Sequence, residues 1–175
     1  MRNYFCGWYF RRQSEQQTLA VIPSVHRTKE SKYCTIQLIT DTQSFHVPFP
    51  YSDFKKQDNQ ISIAGNRFGK EGITLDIKTP ELRANGSVRF GQFTPIRYDI
   101  MGPFRCVPFM QCRHSVFSMH HSVDGMLSIN STPYVFHDAI GYIEGDRGYS
   151  FPRKYVWTQC SFPAGALMLS IADIP

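Results

Sequence analysis

Glu144, Asp146 and Arg147 crowd together between Gly141, Gly145 and Gly148. Glycines at this density let a backbone turn sharply and approach a ligand closely. At the end of an apolar strand, this run would set two carboxylates and a guanidinium at a barrel mouth. Arg147 could hold one carboxylate ionised by a bidentate pair, while burial raises the pKa of the other. Such a pair can supply a general acid. The plainer reading of the same residues is a solvated turn with a local Arg–carboxylate pair, or a strand turn locked by backbone hydrogen bonds.

Aromatic residues flank this chemistry. In Asn3–Phe10 (NYFCGWYF), strand alternation sends Tyr4 and Trp8 to one face and Phe5 and Tyr9 to the other. That pattern suits a strand buried on both sides, and alternatively a ligand wall. His120 and His121 are adjacent, so they point to opposite faces and do not readily share a metal. His114 and His137 have no partner at metal-ligand spacing; His137, beside the dense motif, has the stronger claim to a role. No metal site or cofactor is expected. The five cysteines (Cys6, Cys34, Cys106, Cys112, Cys160) are odd in number and contain no CxxC. They read as small buried hydrophobes of a reducing compartment. GxSxG, Walker, HExxH and Rossmann patterns are all missing from the sequence.

The elements that must position these residues read as strands. Ile73, Leu75 and Ile77 alternate with Thr74, Asp76 and Lys78, the period of a half-buried strand. Ile61 and Ile63 repeat it ahead of Gly65-Asn66, and Gly65–Gly72 reads as a hairpin rather than a phosphate cradle. Asn3–Phe10, Thr18–Val25 and Tyr33–Asp41 are rich in β-branched and aromatic residues. Phe117, Met119, His121 and Val123 share a face, and Asp124-Gly125 reads as a tight hairpin with a return strand over Met126–Ile129. Tyr134–Glu144, Lys154–Cys160 and Ala166–Ile174 complete the set. Thr94–Pro108, with three prolines and Gly102, reads as a loop or a crossing between sheets. Eleven prolines and twelve glycines interrupt nearly every candidate helix.

Composition sets the outer bounds. Hydrophobic residues are 42% and charged residues 19% of the 175, which argues against disorder. No apolar run approaches the roughly 18 residues of a membrane span, and Met1–Phe10 lacks the apolar core of a signal peptide; the expected location is cytoplasmic. The net charge of +5 reads as a mild basic excess. No basic run is long enough for a nucleic-acid patch, so nucleic acid is not an expected partner. Contact with an anionic membrane surface remains open.

Three stretches resemble the tocopherol cyclase family: NYFCGWYF at Asn3–Phe10, LAVIPSV at Leu19–Val25, and above all GYIEGDRGYSFPRKYVWTQC at Gly141–Cys160. The resemblance looks like the N-terminal part of a longer family. It implies an all-β, lipocalin-like (calycin-type) antiparallel barrel or sandwich, related to the carotenoid hydratases. Residues 1–165 would form that domain. Residues 166–175 would begin a further strand or second β domain, and that edge could self-associate. The implied reaction is acid-catalysed ring closure, or hydration, of a prenylated quinol or isoprenoid alkene. Glu144 or Asp146 would be the acid, with Arg147 orienting the other carboxylate. Trp8, Tyr9, His137, Tyr142 and Trp157 would line the ligand pocket. A non-catalytic binder of a small hydrophobic ligand and an inactive truncated fragment are the alternatives.

Overall fold

The computed structural model describes residues 3–58, 60–162 and 164–173. Four strands open the chain as a meander: β1 (Tyr4–Gln13), β2 (Thr18–Arg27), β3 (Lys32–Thr40) and β4 (Ser44–Pro50). A single 3-10 turn, Tyr51–Asp53, leads into a second meander. Its strands are β5 (Phe54–Gln57), β6 (Gln60–Ile63), β7 (Asn66–Gly69), β8 (Gly72–Lys78), β9 (Arg83–Phe90), β10 (Cys112–Ile129) and β11 (Thr132–Gly148). β11 then returns to pair antiparallel with β1, from Phe5↔Gly148 to Gln13↔Ile140. The result is one 11-stranded antiparallel sheet, a nearly closed barrel whose edges are the consecutive strands β4 and β5. β12 (Tyr155–Phe162) and β13 (Gly165–Ala172) form a separate two-stranded hairpin. No helix among the described residues is long and apolar enough to cross a membrane.

Period-two patterning decides which face of each strand is inside. Ile73, Leu75 and Ile77 of β8 are each 2% exposed, while Asp76 and Lys78 face solvent. Ile36 and Leu38 of β3, Leu19 and Val21 of β2 and Phe10 of β1 join them in one core. Fully burying one such side chain contributes about 1.5–3 kcal/mol. The barrel is therefore filled mainly by aliphatic side chains.

Two turns show how local chemistry sets register. Ala64 and Gly65 (φ 48° and 85°) link β6 to β7, and Asn130 and Ser131 (φ 47° and 70°) link β10 to β11. Two-residue turns with both φ positive match the twist of a hairpin. The hairpin expected at Asp124-Gly125 is not there. β10 runs straight through these residues, with a register shift between Val123 and Gly125, and Gly125 pairs with Val88 of β9 and Phe136 of β11. Gly125 serves close strand approach, with φ 129°, rather than chain reversal. The Gly141–Gly148 stretch is likewise strand, not turn. Its glycines accept rings from β10: a Cβ on Gly145 would lie 2.8 Å from the Phe117 ring, and one on Gly141 would run into the His121 ring.

The expected loop over Thr94–Pro108 is present, irregular apart from the 3-10 turn Gly102–Cys106. It is pinned along β10 by Met119 N–H to Thr94 O (2.8 Å) and by Arg113 Nη2 to Arg105 O (2.8 Å). The strand expected from Ala166 is β13, and it folds back on β12 from Phe162↔Gly165 to Tyr155↔Ala172. Ile174 and Pro175, at the end of that expectation, lie outside the described residues.

His121 is 1% exposed and wedged against Phe90 and Phe93, at centroid distances of 4.8 and 4.7 Å. It cannot retreat from a new methyl group. Gly141→Ala is expected to lose about 1–3 kcal/mol in urea unfolding, the usual range for overpacking. A change under about 0.5 kcal/mol would show that the ring gives way.

Candidate active site

The alternation that fills the barrel also puts the polar chemistry outside it. On β11, Gly141, Ile143 and Gly145 face inward, opposite Arg12, Phe10 and Trp8 of β1. Tyr142, Glu144 and Asp146 therefore face outward, beside Tyr9 and Gly7. A carboxylate on the outer face of a barrel would normally be wet. Here the β12–β13 hairpin and the loop after β9 cover it. Trp157 of β12 sets its ring edge-on to Tyr9 (5.6 Å) and tilted to Tyr142 (6.3 Å). Arg11 reaches across to the Gln159 carbonyl (3.3 Å), and Phe151 stacks on Phe5 (4.6 Å).

Between barrel and hairpin lies a cavity of about 420 Å³. Its wall is largely apolar: Phe5, Tyr9, Trp157, Tyr155, Met101 and Met110 contribute, with Trp8 at its edge. Ser24 and His26 form a polar pair in that wall, and a charged cluster interrupts it elsewhere. Glu144 Oε2 accepts from Tyr142 Oη (2.6 Å) and Trp157 Nε1 (3.1 Å). His114 of β10 sits between the two carboxylates, with Nε2 3.2 Å from Glu144 Oε2 and Nδ1 2.7 Å from Asp146 Oδ1. The Nδ1 contact is a hydrogen bond, whereas Nε2 makes an ion-pair contact without hydrogen-bond alignment. The Cys112 thiol donates to Asp146 Oδ1 at 3.5 Å.

The electrostatics follow from this order. Burial works against a charge on His114, but the hydrogen bonds and charges of Asp146 and Glu144 outweigh it and raise its pKa to about 9. The imidazole therefore keeps its second proton at neutral pH. Burial, then the charge and hydrogen bond of Glu144, push the Tyr142 phenol up as well, so it stays a donor. Burial and then Asp146 push the Cys112 thiol up to about 12, which leaves it a poor nucleophile. His114, Glu144 and Asp146 are also close enough to offer one ligand atom each to a cation. Both imidazole nitrogens face carboxylates.

Of the residues singled out in the sequence, Glu144, Asp146, Tyr9, Tyr142 and Trp157 come together here. Trp8 is shared: it borders this cavity but turns its ring to the barrel side, stacking on Phe54 at 6.4 Å. Arg147 does not orient a carboxylate. It faces the other way on β11, exposed, and makes no ion pair among the described residues; His114 takes the place expected of it. His137 is remote, with a side chain 96% exposed, 3.4 Å from Asp124. His114 is the residue the sequence reading passed over. Its signal lay in strand pairing: His114 is opposite Asp146 only if the hairpin turns at Asn130-Ser131.

No family model matches the chain, and no curated protein matches it. Among solved structures, it is similar to a Nitrosomonas europaea protein described as a "putative AttH", with a TM-score of 0.53 and 13% identity. That match covers 96% of this chain and 59% of the other, so the chain spans less than two thirds of its neighbour's length. At this identity the likeness defines the class of fold, an all-β antiparallel barrel, and nothing finer.

The raised pKa of His114 gives a test. A group raised from 6.5 to about 9 stabilises the fold fully below pH 6.5 and loses that contribution as pH rises through 9. The Tm of the wild type should fall between pH 7 and 10, and His114→Gln should flatten that fall. Equal slopes in both proteins would show that the proton is not held at His114.

Proposed function

We propose that the chain binds a small apolar molecule between the barrel and the β12–β13 hairpin, and that it protonates an isoprenoid double bond there. The observation that carries this reading is the Glu144–His114–Asp146 cluster, a proton held at one point of a mainly apolar wall. Ring closure of a prenylated quinol makes matching demands. A proton adds to one alkene carbon and leaves a tertiary cation on the other. The phenol oxygen attacks that cation, a C–O bond forms, and the phenolic proton returns to the vacated base. The product is an isomer, so nothing else is consumed. Hydration differs only in that water supplies the oxygen and the proton.

The residues suit these steps. Glu144 and Asp146, bridged by His114, can deliver a proton and take one back. The rings of Tyr9 and Trp157 offer π-faces to a developing cation. The aromatic wall restricts water, which would otherwise intercept the cation in the cyclisation. The resemblance at Gly141–Cys160 points to the same reaction class. A second reading, a non-catalytic binder, is favoured by one observation. The proton on His114 is held with a pKa of about 9, a tight grip for a group asked to protonate an alkene.

Incubation with prenylated benzoquinols of several chain lengths, read by mass spectrometry, separates the two readings. A chromanol product, lowered about 10²-fold or more in Glu144→Gln and His114→Gln, is the expected result. Saturable binding with unchanged substrate would establish the binder. Neither binding nor turnover at any length would overturn the proposal.

A further inference from the structure

The net charge of the protein is not spread evenly. Residues 94–113 and 147–155 hold six of the nineteen Lys and Arg but one of the fourteen Asp and Glu, so the whole excess of +5 arises there. The thirteen cations elsewhere are matched by thirteen carboxylates. The two stretches lie side by side. Arg113 of β10 is directly opposite Arg147 of β11, Arg113 Nη2 donates to Arg105 O, and the Tyr149 N–H donates to Gln111 O (2.9 Å). Like charges directly opposite on a ladder destabilise it. None of Arg97, Arg105, Arg113, Arg147, Arg153 and Lys154 makes an ion pair among the described residues. All but the half-buried Arg113 are exposed.

The same stretches carry exposed apolar side chains. Tyr98, Phe104 and Phe109 are 74%, 47% and 80% exposed, Val107 is 41% exposed, and Phe151 and Tyr155 are 51% and 56% exposed. Exposed apolar side chains set among cations mark an interaction surface. Nucleic-acid bases also stack on rings, but the exposed Pro103, Val107 and Pro108 offer no stacking face and suit acyl chains better. These stretches also wall the outer cavity, to which Met101, Met110, Phe151 and Tyr155 contribute.

We propose that this face docks on an anionic membrane surface, with the rings and Val107 of the loop after β9 in the interface and the six cations among the lipid headgroups. Each cation near such a surface strengthens binding about fivefold, and the apolar side chains add a part that salt does not screen. A molecule dissolved in the bilayer would enter the outer cavity from this face. That last step rests on the reaction proposed above, and the docking does not.

Cosedimentation of the full chain, without substrate, with vesicles of phosphatidylcholine alone and of phosphatidylcholine mixed with phosphatidylglycerol tests it. The protein should bind the anionic vesicles about tenfold or more tightly than the neutral ones, and added salt should weaken that binding. Arg105→Gln, Arg153→Gln and Lys154→Gln together should cost on the order of a hundredfold. Removing the same charge at Lys70, Lys78 and Arg89, exposed around β7 to β9, should cost less than about threefold. Phe104→Ser with Phe109→Ser should weaken binding about tenfold and leave its salt dependence in place. Equal binding to both kinds of vesicle, an equal loss from both triple variants, or no loss in the double Phe variant would overturn the proposal. So would binding to a single-stranded RNA that exceeds binding to the anionic vesicles, which would make this a nucleic-acid face. Should the variants not fold, the wild-type comparison of vesicles and RNA still decides.

Discussion

The hydrogen bond from Trp157 Nε1 to Glu144 Oε2 ties the two parts of the structure together. Glu144 projects from the outside of a barrel, where a carboxylate would ordinarily meet water. Trp157 belongs to a hairpin that shares no ladder with the barrel. The indole brings both an apolar ring and a single donor, so it covers Glu144 and satisfies it in one contact. Tyr142 donates to the same oxygen, and His114 stands beside it as an ion-pair partner. Without the carboxylate the hairpin would rest on ring packing and the Arg11 contact. Without the hairpin the carboxylate would be hydrated, and the proton on His114 would lose much of its hold.

One strand makes this possible by strict alternation. Inward positions of β11 between Gly141 and Gly145 are glycine or aliphatic, and they receive the His121 and Phe117 rings of β10. Outward positions are Tyr142, Glu144 and Asp146. A slip of one residue in the pairing with β1 would put both carboxylates in the aliphatic core and the glycines under the hairpin. The long β1–β11 ladder, from Phe5 to Gln13, resists that slip. Glycine here serves neighbouring rings rather than chain reversal.

The barrel was legible because its signals are local. Ile73–Ile77 alternates over a short span, and Gly65–Gly72 reads as a hairpin from its own residues. The run around Glu144 stands out in the sequence by its glycines and its two carboxylates. What could not be read was non-local. Placing the reversal at Asp124-Gly125 would set His114 opposite Val135, far from any carboxylate. Three register irregularities in β10 then decide which face each residue takes. Arg147 sits next to Asp146 in sequence and on the opposite face in space, so proximity along the chain suggested the wrong cation. The cover supplied by β12 was foreshadowed only by Trp157 itself.

The barrel wall thus separates two positive charges that are handled in opposite ways. His114 stands outside, flanked by two carboxylates, and its charge is answered before any ligand arrives. Arg12 stands inside, and its guanidinium makes no hydrogen bond among the described residues. Its neighbour on β1, Arg11, instead reaches the Gln159 carbonyl. The outer cluster holds its proton between two carboxylates. The Glu144 cluster and Arg12 lie on opposite faces of the same β1–β11 ladder.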